Sequence, residues 1–149
     1  MDKKYFDLAF NEAYKSFHNG EVPVGAVIVK NGEIISTAHN IKEESNCVLD
    51  HAELIAIREA SDKLQNWRLN DCDIYVTLEP CEMCAAAIKQ SRIKNVYSAI
   101  SNDDILIHNR ILDIFSKDKS NPQVNLFNDQ DVTRGSKILS EFFNLTRNK

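Results

Sequence analysis

The stretch Cys72-Asp-Ile-Tyr-Val-Thr-Leu78 runs without a break into Glu79-Pro80-Cys81-Glu82-Met83-Cys84. The first part is apolar and β-branched, as a buried strand is. The second has a proline suited to a helix start, followed by helix formers as far as Gln90. A buried strand delivered straight into a helix is the unit of a layered α/β domain. In open α/β sheets, ligands gather at the carboxyl ends of such strands.

The junction also carries chemistry. Cys81 and Cys84 are spaced i, i+3, so one helical turn brings them onto one face. The positive end of a helix favours thiolates, the forms that bind metal. His51-Ala52-Glu53 opens a second helical segment, 51–64, with an apolar stripe at Leu54, Ile55, Ile57 and Leu64. One histidine and two cysteines make three protein ligands. A structural zinc normally takes four, whereas a catalytic zinc keeps one position for water. Water bound there ionises near neutral pH. Glu53, just beyond His51, is free to face that water and transfer its proton. Two other readings stay open. Cys47, in a loop shortly before His51, could complete a four-ligand structural site, and a lone Cys-x-x-Cys could serve redox chemistry. Cys72 is discounted, because it starts the strand, roughly 20 Å from the end where Cys81 lies. Glu53 favours the open, catalytic site, since a purely structural one has no use for it.

The remaining pattern supplies a frame. Helical spacing of Tyr5, Phe6, Ala9, Ala13 and Phe17 predicts a helix over 5–17, ended by Asn19-Gly20. A strand over 22–29, the Asn31-Gly32 turn and a return over 33–38 predict a hairpin. A polar loop covers 40–49. Further strands are expected at 95–100 and 124–127, with helices at 81–90, 106–115 and 132–145. The order αββαβαβ(α)βα predicts one α/β domain over 1–149, partly parallel, with an antiparallel edge hairpin. Apolar residues make up 43% and charged residues 27%, which suits a globular chain rather than a disordered one. The net charge of −4 is wrong for broad nucleic-acid affinity, so any such contact must come from a local patch. No apolar run of roughly 18 residues predicts a membrane span. The amino terminus lacks the apolar stretch of a secretory signal, so a cytoplasmic protein with free or metal-bound thiols is expected.

His51-Ala-Glu53 and Pro80-Cys-Glu-Met-Cys84 match the H-x-E…P-C-x-x-C signature of zinc-dependent nucleobase deaminases. Over nearly its whole length the chain resembles the bacterial tRNA-specific adenosine deaminases of the cytidine/deoxycytidylate deaminase superfamily. The resemblance runs through Glu21-Val-Pro-Val-Gly-Ala-Val-Ile-Val29, Asn40, Asn66-Trp-Arg-Leu69, Tyr75-Val-Thr-Leu-Glu-Pro-Cys-Glu-Met-Cys84, Ser91-Arg-Ile93 and Leu139-Ser-Glu-Phe-Phe143. It implies a three-layer αβα sandwich with a five-stranded mixed sheet, one Zn2+ per chain and a homodimer. The implied partner is the anticodon stem-loop of a tRNA. The implied reaction is hydrolytic deamination of the wobble adenosine to inosine, with zinc-bound hydroxide adding at C6 and Glu53 passing protons to N1 and to the leaving ammonia. Carried over position by position, His51, Cys81 and Cys84 match the zinc ligands and Glu53 the proton shuttle.

Smaller expectations accompany these. Asn40 matches a substrate-contacting Asn, with a loop-capping role as the alternative. Val24, Gly25, Ala26, Ala52 and Pro80 are placed beside the substrate. The bare Gly25 serves either the approach of a base or close strand–helix packing. Arg68, Lys89, Arg92 and Lys94, with Arg147 and Lys149, are candidate RNA contacts or simply a solvated surface. His39 is read as an ordinary polar residue, and Asp50 as the cap of the helix after it. The stretch 98–110 departs from the family, which usually has a Gly-rich loop with an Asp and a Lys; here there is neither glycine nor lysine. The alternatives are a free nucleobase or nucleotide deaminase of the guanine deaminase kind, and a non-catalytic RNA-binding module with this fold. The salvage cytidine deaminases carry Cys in place of His51, and the riboflavin-pathway enzymes have a longer spacer than Glu82-Met83. An intact Glu53 argues against the binding module.

Overall fold

The structure is a computed structural model that describes residues 1–119, 121–129 and 133–147. Helix α1 (Lys3–His18) begins where the Asp2 carboxylate accepts from the Lys4 amide, and it buries Tyr5, Phe6, Ala9, Phe10 and Ala13. Strands β1 (Gly25–Lys30) and β2 (Glu33–His39) form the expected hairpin. Asn31 and Gly32 both take positive φ, 51° and 80°, the backbone that a two-residue hairpin turn of matching twist demands. Strand β1 starts later than the apolar pattern implies, so Val22 and Val24 fall outside the sheet. A short helix, α2 (Lys42–Ser45), interrupts the polar loop, and its Glu43 and Glu44 amides donate to the buried Glu21 carboxylate at 2.9 and 2.8 Å.

Helix α3 (Ala52–Leu64) precedes β3 (Cys72–Val76); α4 (Glu82–Gln90) leads to β4 (Asn95–Ser98); α5 (Ile105–Phe115) leads to β5 (Asn125–Asn128); α6 (Thr133–Arg147) closes the described chain. Pro80 is not the first residue of α4. Cys81 is the N-cap, and the proline sits one place before it. Asp50 likewise does not cap α3: His51 holds the N-cap position, and Asp50 is an ion-pair partner of Arg58 at 4.0 Å.

The sheet order is β2-β1-β3-β4-β5, antiparallel on the hairpin side and parallel from β3 to β5. Side-chain alternation divides it into two faces. Ala26, Ile28, Ile74, Val76 and Val96 pack against α3, α4 and α5, while Val27, Val29 and Tyr75 pack against α1 and Ile138 of α6. The architecture is therefore the three-layer αβα sandwich with a five-stranded mixed sheet.

This topology decides where a site can form. Because β3, β4 and β5 are parallel and β1 is antiparallel to β3, one end of the sheet collects five chain crossings. They are the approach to β1 and the exits of β2, β3, β4 and β5. Gly25 and Thr77 clip two of them together: the Thr77 amide donates to Gly25 O, and the Gly25 amide to Thr77 Oγ1, both at 3.1 Å. Close packing explains the bare glycine. A Cβ on Gly25 would lie 1.8 Å from Ala9 O and 2.8 Å from Ala13 N, inside α1 itself. Relief would require α1 to lift off β1. Gly25→Ala is expected to cost about 3 kcal/mol of unfolding free energy, read by urea denaturation. A loss below about 0.5 kcal/mol would show that the close approach does not hold α1 in place.

Candidate active site

His51 and Cys81 occupy the N-cap positions of α3 and α4, and neither side chain makes the usual capping hydrogen bond. Both are thus left free to point into the space between the two helices. Cys84, in the first turn of α4, faces the same way. Cys81 Sγ and Cys84 Sγ lie 3.8 and 3.5 Å from His51 Nδ1, and all three donor atoms fall within 4.8 Å of one another. Tetrahedral zinc with ordinary Zn–S and Zn–N bonds would hold a nitrogen and a sulfur about 3.6 Å apart. The donor set therefore fits zinc in both type and spacing.

The electrostatics point the same way. Cys81 is drawn down to about 5, chiefly by the hydrogen bond that Cys84 donates to it. Cys84 is pushed far up, first by that same bond and then by burial. One proton is thus held between two sulfurs, and the second thiolate needs a cation beside it. Glu53, in the first turn of α3, is buried, and burial raises its carboxyl to about 6. A nearby proton acceptor of that pKa suits acid–base work near neutral pH.

Among the described residues this three-donor group is the one cluster able to hold a metal, and Cys47 is not in it. Cys72 is buried at the opposite end of β3. The four-ligand reading therefore lacks its fourth ligand.

A cavity of about 600 Å3 opens above the group, with His51, Ala52, Glu53 and Cys81 at its base. Val24 and Asn40 line one side; Gly25, Ala26 and Pro80 do not line it. Asn40 is buried, donates to Val22 O at 3.2 Å and accepts from the Lys42 amide at 3.2 Å, so it braces its own loop while facing the cavity. His39 is paired with Glu12 at 2.7 Å. The expected basic contacts fare differently. Lys89 is buried, bonded to Ser116 O and 3.3 Å from Asp118, so it offers no cation to a phosphate. Arg68 and Arg92 lie over the exposed Trp67 ring, at 4.3 and 5.5 Å from its centroid. They stand at the amino end of β3, where the Leu69 amide meets Ser91 O, away from the cavity. Lys149 lies outside the described residues, as does the Arg147 side chain. Sequence reasoning assigned no role to Lys42, Glu79, Asn102 or Arg110, which also line the cavity. They come from four separate loops and helices, and no short-range pattern joins them.

Fold and site together define a zinc-dependent deaminase architecture. The family described as the cytidine and deoxycytidylate deaminase zinc-binding region matches residues 1–100. A tRNA-specific adenosine deaminase of Aquifex aeolicus is 43% identical, covering 99% of this chain and 98% of that one. A structure solved in a study of A-to-I editing at the wobble position of transfer RNA superposes with a TM-score of 0.83 at 34% identity, covering 93% of this chain and 100% of that one. A guanine deaminase from Bacillus subtilis superposes with a TM-score of 0.67 at 31% identity, over 100% and 96% of the two chains. The chain belongs to the cytidine and deoxycytidylate deaminase zinc-binding family, within its tRNA-specific adenosine deaminase branch.

Metal analysis of the purified protein should find one zinc per chain. Cys84→Ser should weaken zinc binding more than about a hundredfold, while Cys47→Ser leaves the content unchanged. Zinc lost with Cys47 would restore the four-ligand structural reading.

Proposed function

We propose that the chain hydrolyses the wobble adenosine of a tRNA anticodon to inosine, releasing ammonia. The observation that carries this reading is the buried Glu53 carboxyl, raised to about 6, beside three donors at the base of an open cavity. Zinc held by His51, Cys81 and Cys84 would leave a position for water and bring its ionisation close to neutral pH. Glu53 takes the proton that this water loses and passes it to N1 of the adenine as C6 is attacked. It then takes the proton of the new C6 hydroxyl and passes it to the amino group, which departs as ammonia. The cavity exceeds the volume of a purine, so a nucleotide turned out of its stack can enter with part of its ribose. Asn40 keeps unused hydrogen-bonding capacity on both its oxygen and its nitrogen, enough to meet the base or ribose. Lys42 supplies positive charge for a flanking phosphate at the lining of the cavity.

Three further readings stand beside this one. Residues 1–149 are taken as one domain, supported by contact of Phe17 in α1 with Phe142 in α6. A homodimer is supported by the exposed Ile105, Leu106 and Leu112 of α5. A cytoplasmic location is the third; no helix among the described residues is long and apolar enough to cross a membrane.

Zinc-loaded protein should convert adenosine to inosine in an anticodon stem-loop bearing a wobble adenosine, with no ammonia from free guanine or cytosine. Glu53→Gln should keep its zinc and lose at least about a hundredfold in kcat. Ammonia from guanine alone would replace this substrate with a free base. Full activity in the Gln variant would remove Glu53 from the proton path.

A further inference from the structure

The stretch 98–110 is fastened to the cysteine-bearing turn by one buried group. Glu79 stands shortly before Cys81, and its side chain is wholly screened from solvent. His108 Nδ1 donates to Glu79 Oε1 at 2.6 Å, and the Asn102 amide donates to Oε2 at 3.2 Å. The Glu79 amide in turn donates to Ile100 O at 2.8 Å. His108 is in the first turn of α5, which the Asp104 side chain caps. The exit of β4, the turn after it and the start of α5 therefore all meet on one residue. A buried carboxylate needs its lone pairs filled. Without His108, Glu79 would be half satisfied and the first turn of α5 would lose its tie to the cysteine-bearing turn, although Ile111 and Phe115 keep the rest of the helix in the core.

What this fastening holds is a wall. Glu79, Asn102, Ile107 and Arg110 line the cavity, and His108 stands behind them without lining it. The metal donors have separate support, since His51 and Cys81 are set by the starts of α3 and α4. The geometry points to His108 as a positioning residue that, through Glu79, sets the cavity wall against which the nucleic-acid substrate binds. This rests on the function proposed above. An unpinned wall must be ordered by the substrate itself, and that cost falls on binding rather than on the chemical step.

His108→Ala is expected to raise KM for the anticodon stem-loop about tenfold, with kcat within about twofold and one zinc per chain retained. His108→Asn should hold KM close to the parent value, because the Asn side-chain nitrogen stands where Nδ1 does relative to Cβ. An unchanged KM in the Ala variant, a fall in kcat with loss of zinc, or an Asn variant as poor as Ala would each overturn the assignment. Amide exchange on the zinc-loaded proteins, without RNA, decides the fastening even if the parent makes no inosine. Exchange at 100–104 should quicken in His108→Ala and not in His108→Asn; equal rates in all three would overturn it.

Discussion

Two sulfurs, an imidazole and a buried carboxyl crowd into one small volume, and everything around them follows from the need to hold that much negative charge together. The backbone contributes first. Cys81 and Cys84 stand at the start of α4, and His51 and Glu53 at the start of α3. Each helix start presents about half a positive charge. This alone does not ionise both thiols: one proton stays between Cys81 and Cys84. A divalent cation completes the balance, and the donor spacing is already that of tetrahedral zinc. Glu53 contributes differently. Its burial makes it a weaker acid than usual, so its proton is exchangeable near neutral pH instead of being lost well below it.

Two helix starts 30 residues apart can meet only if the sheet brings them to one end. The parallel pairing of β3 with β4 puts both exits on the same side, and the antiparallel β1 returns its approach to that side as well. Gly25 lets α1 lie directly on β1 at this end, so Val24 and Asn40 can flank the base of the cavity. The site is therefore a product of the topology as much as of its own residues.

Much of this was legible in the sequence, for a physical reason. The i, i+3 cysteines, the strand before them, the apolar stripe behind His51 and the Asn-Gly hairpin are all short-range patterns, and periodicity reports such patterns directly. Elements were therefore placed to within a few residues, and the metal donors with them. Failures fell where tertiary contact decides. Lys89 reads as a surface cation, yet its amine folds back onto Ser116 and Asp118. The helix reads as starting at Cys81, yet Cys81 takes the N-cap, one place before the first helical residue, which frees its sulfur to coordinate. Gly25 offered two equal readings until the position of Ala9 was known. Glu79 sat inside the most recognisable motif without a role, because its partners are supplied by residues 102 and 108.

The 98–110 stretch shows how far the base and the walls of this site are independent. A glycine-rich loop reaches across a site by backbone freedom. The stretch here has no glycine; it starts a helix, capped by Asp104, and anchors it through His108 to the turn that carries Cys81. The exposed Arg110–Glu82 pair at 3.2 Å adds a second tie between the same two elements, one that solvent screening leaves weak. Neither tie touches His51, Glu53, Cys81 or Cys84. Proton transfer needs only those four groups in register, whereas recognition of the flanking nucleotides needs a rigid wall of the right shape. The residues of the wall can therefore vary without disturbing the chemistry, provided the wall stays as well fastened.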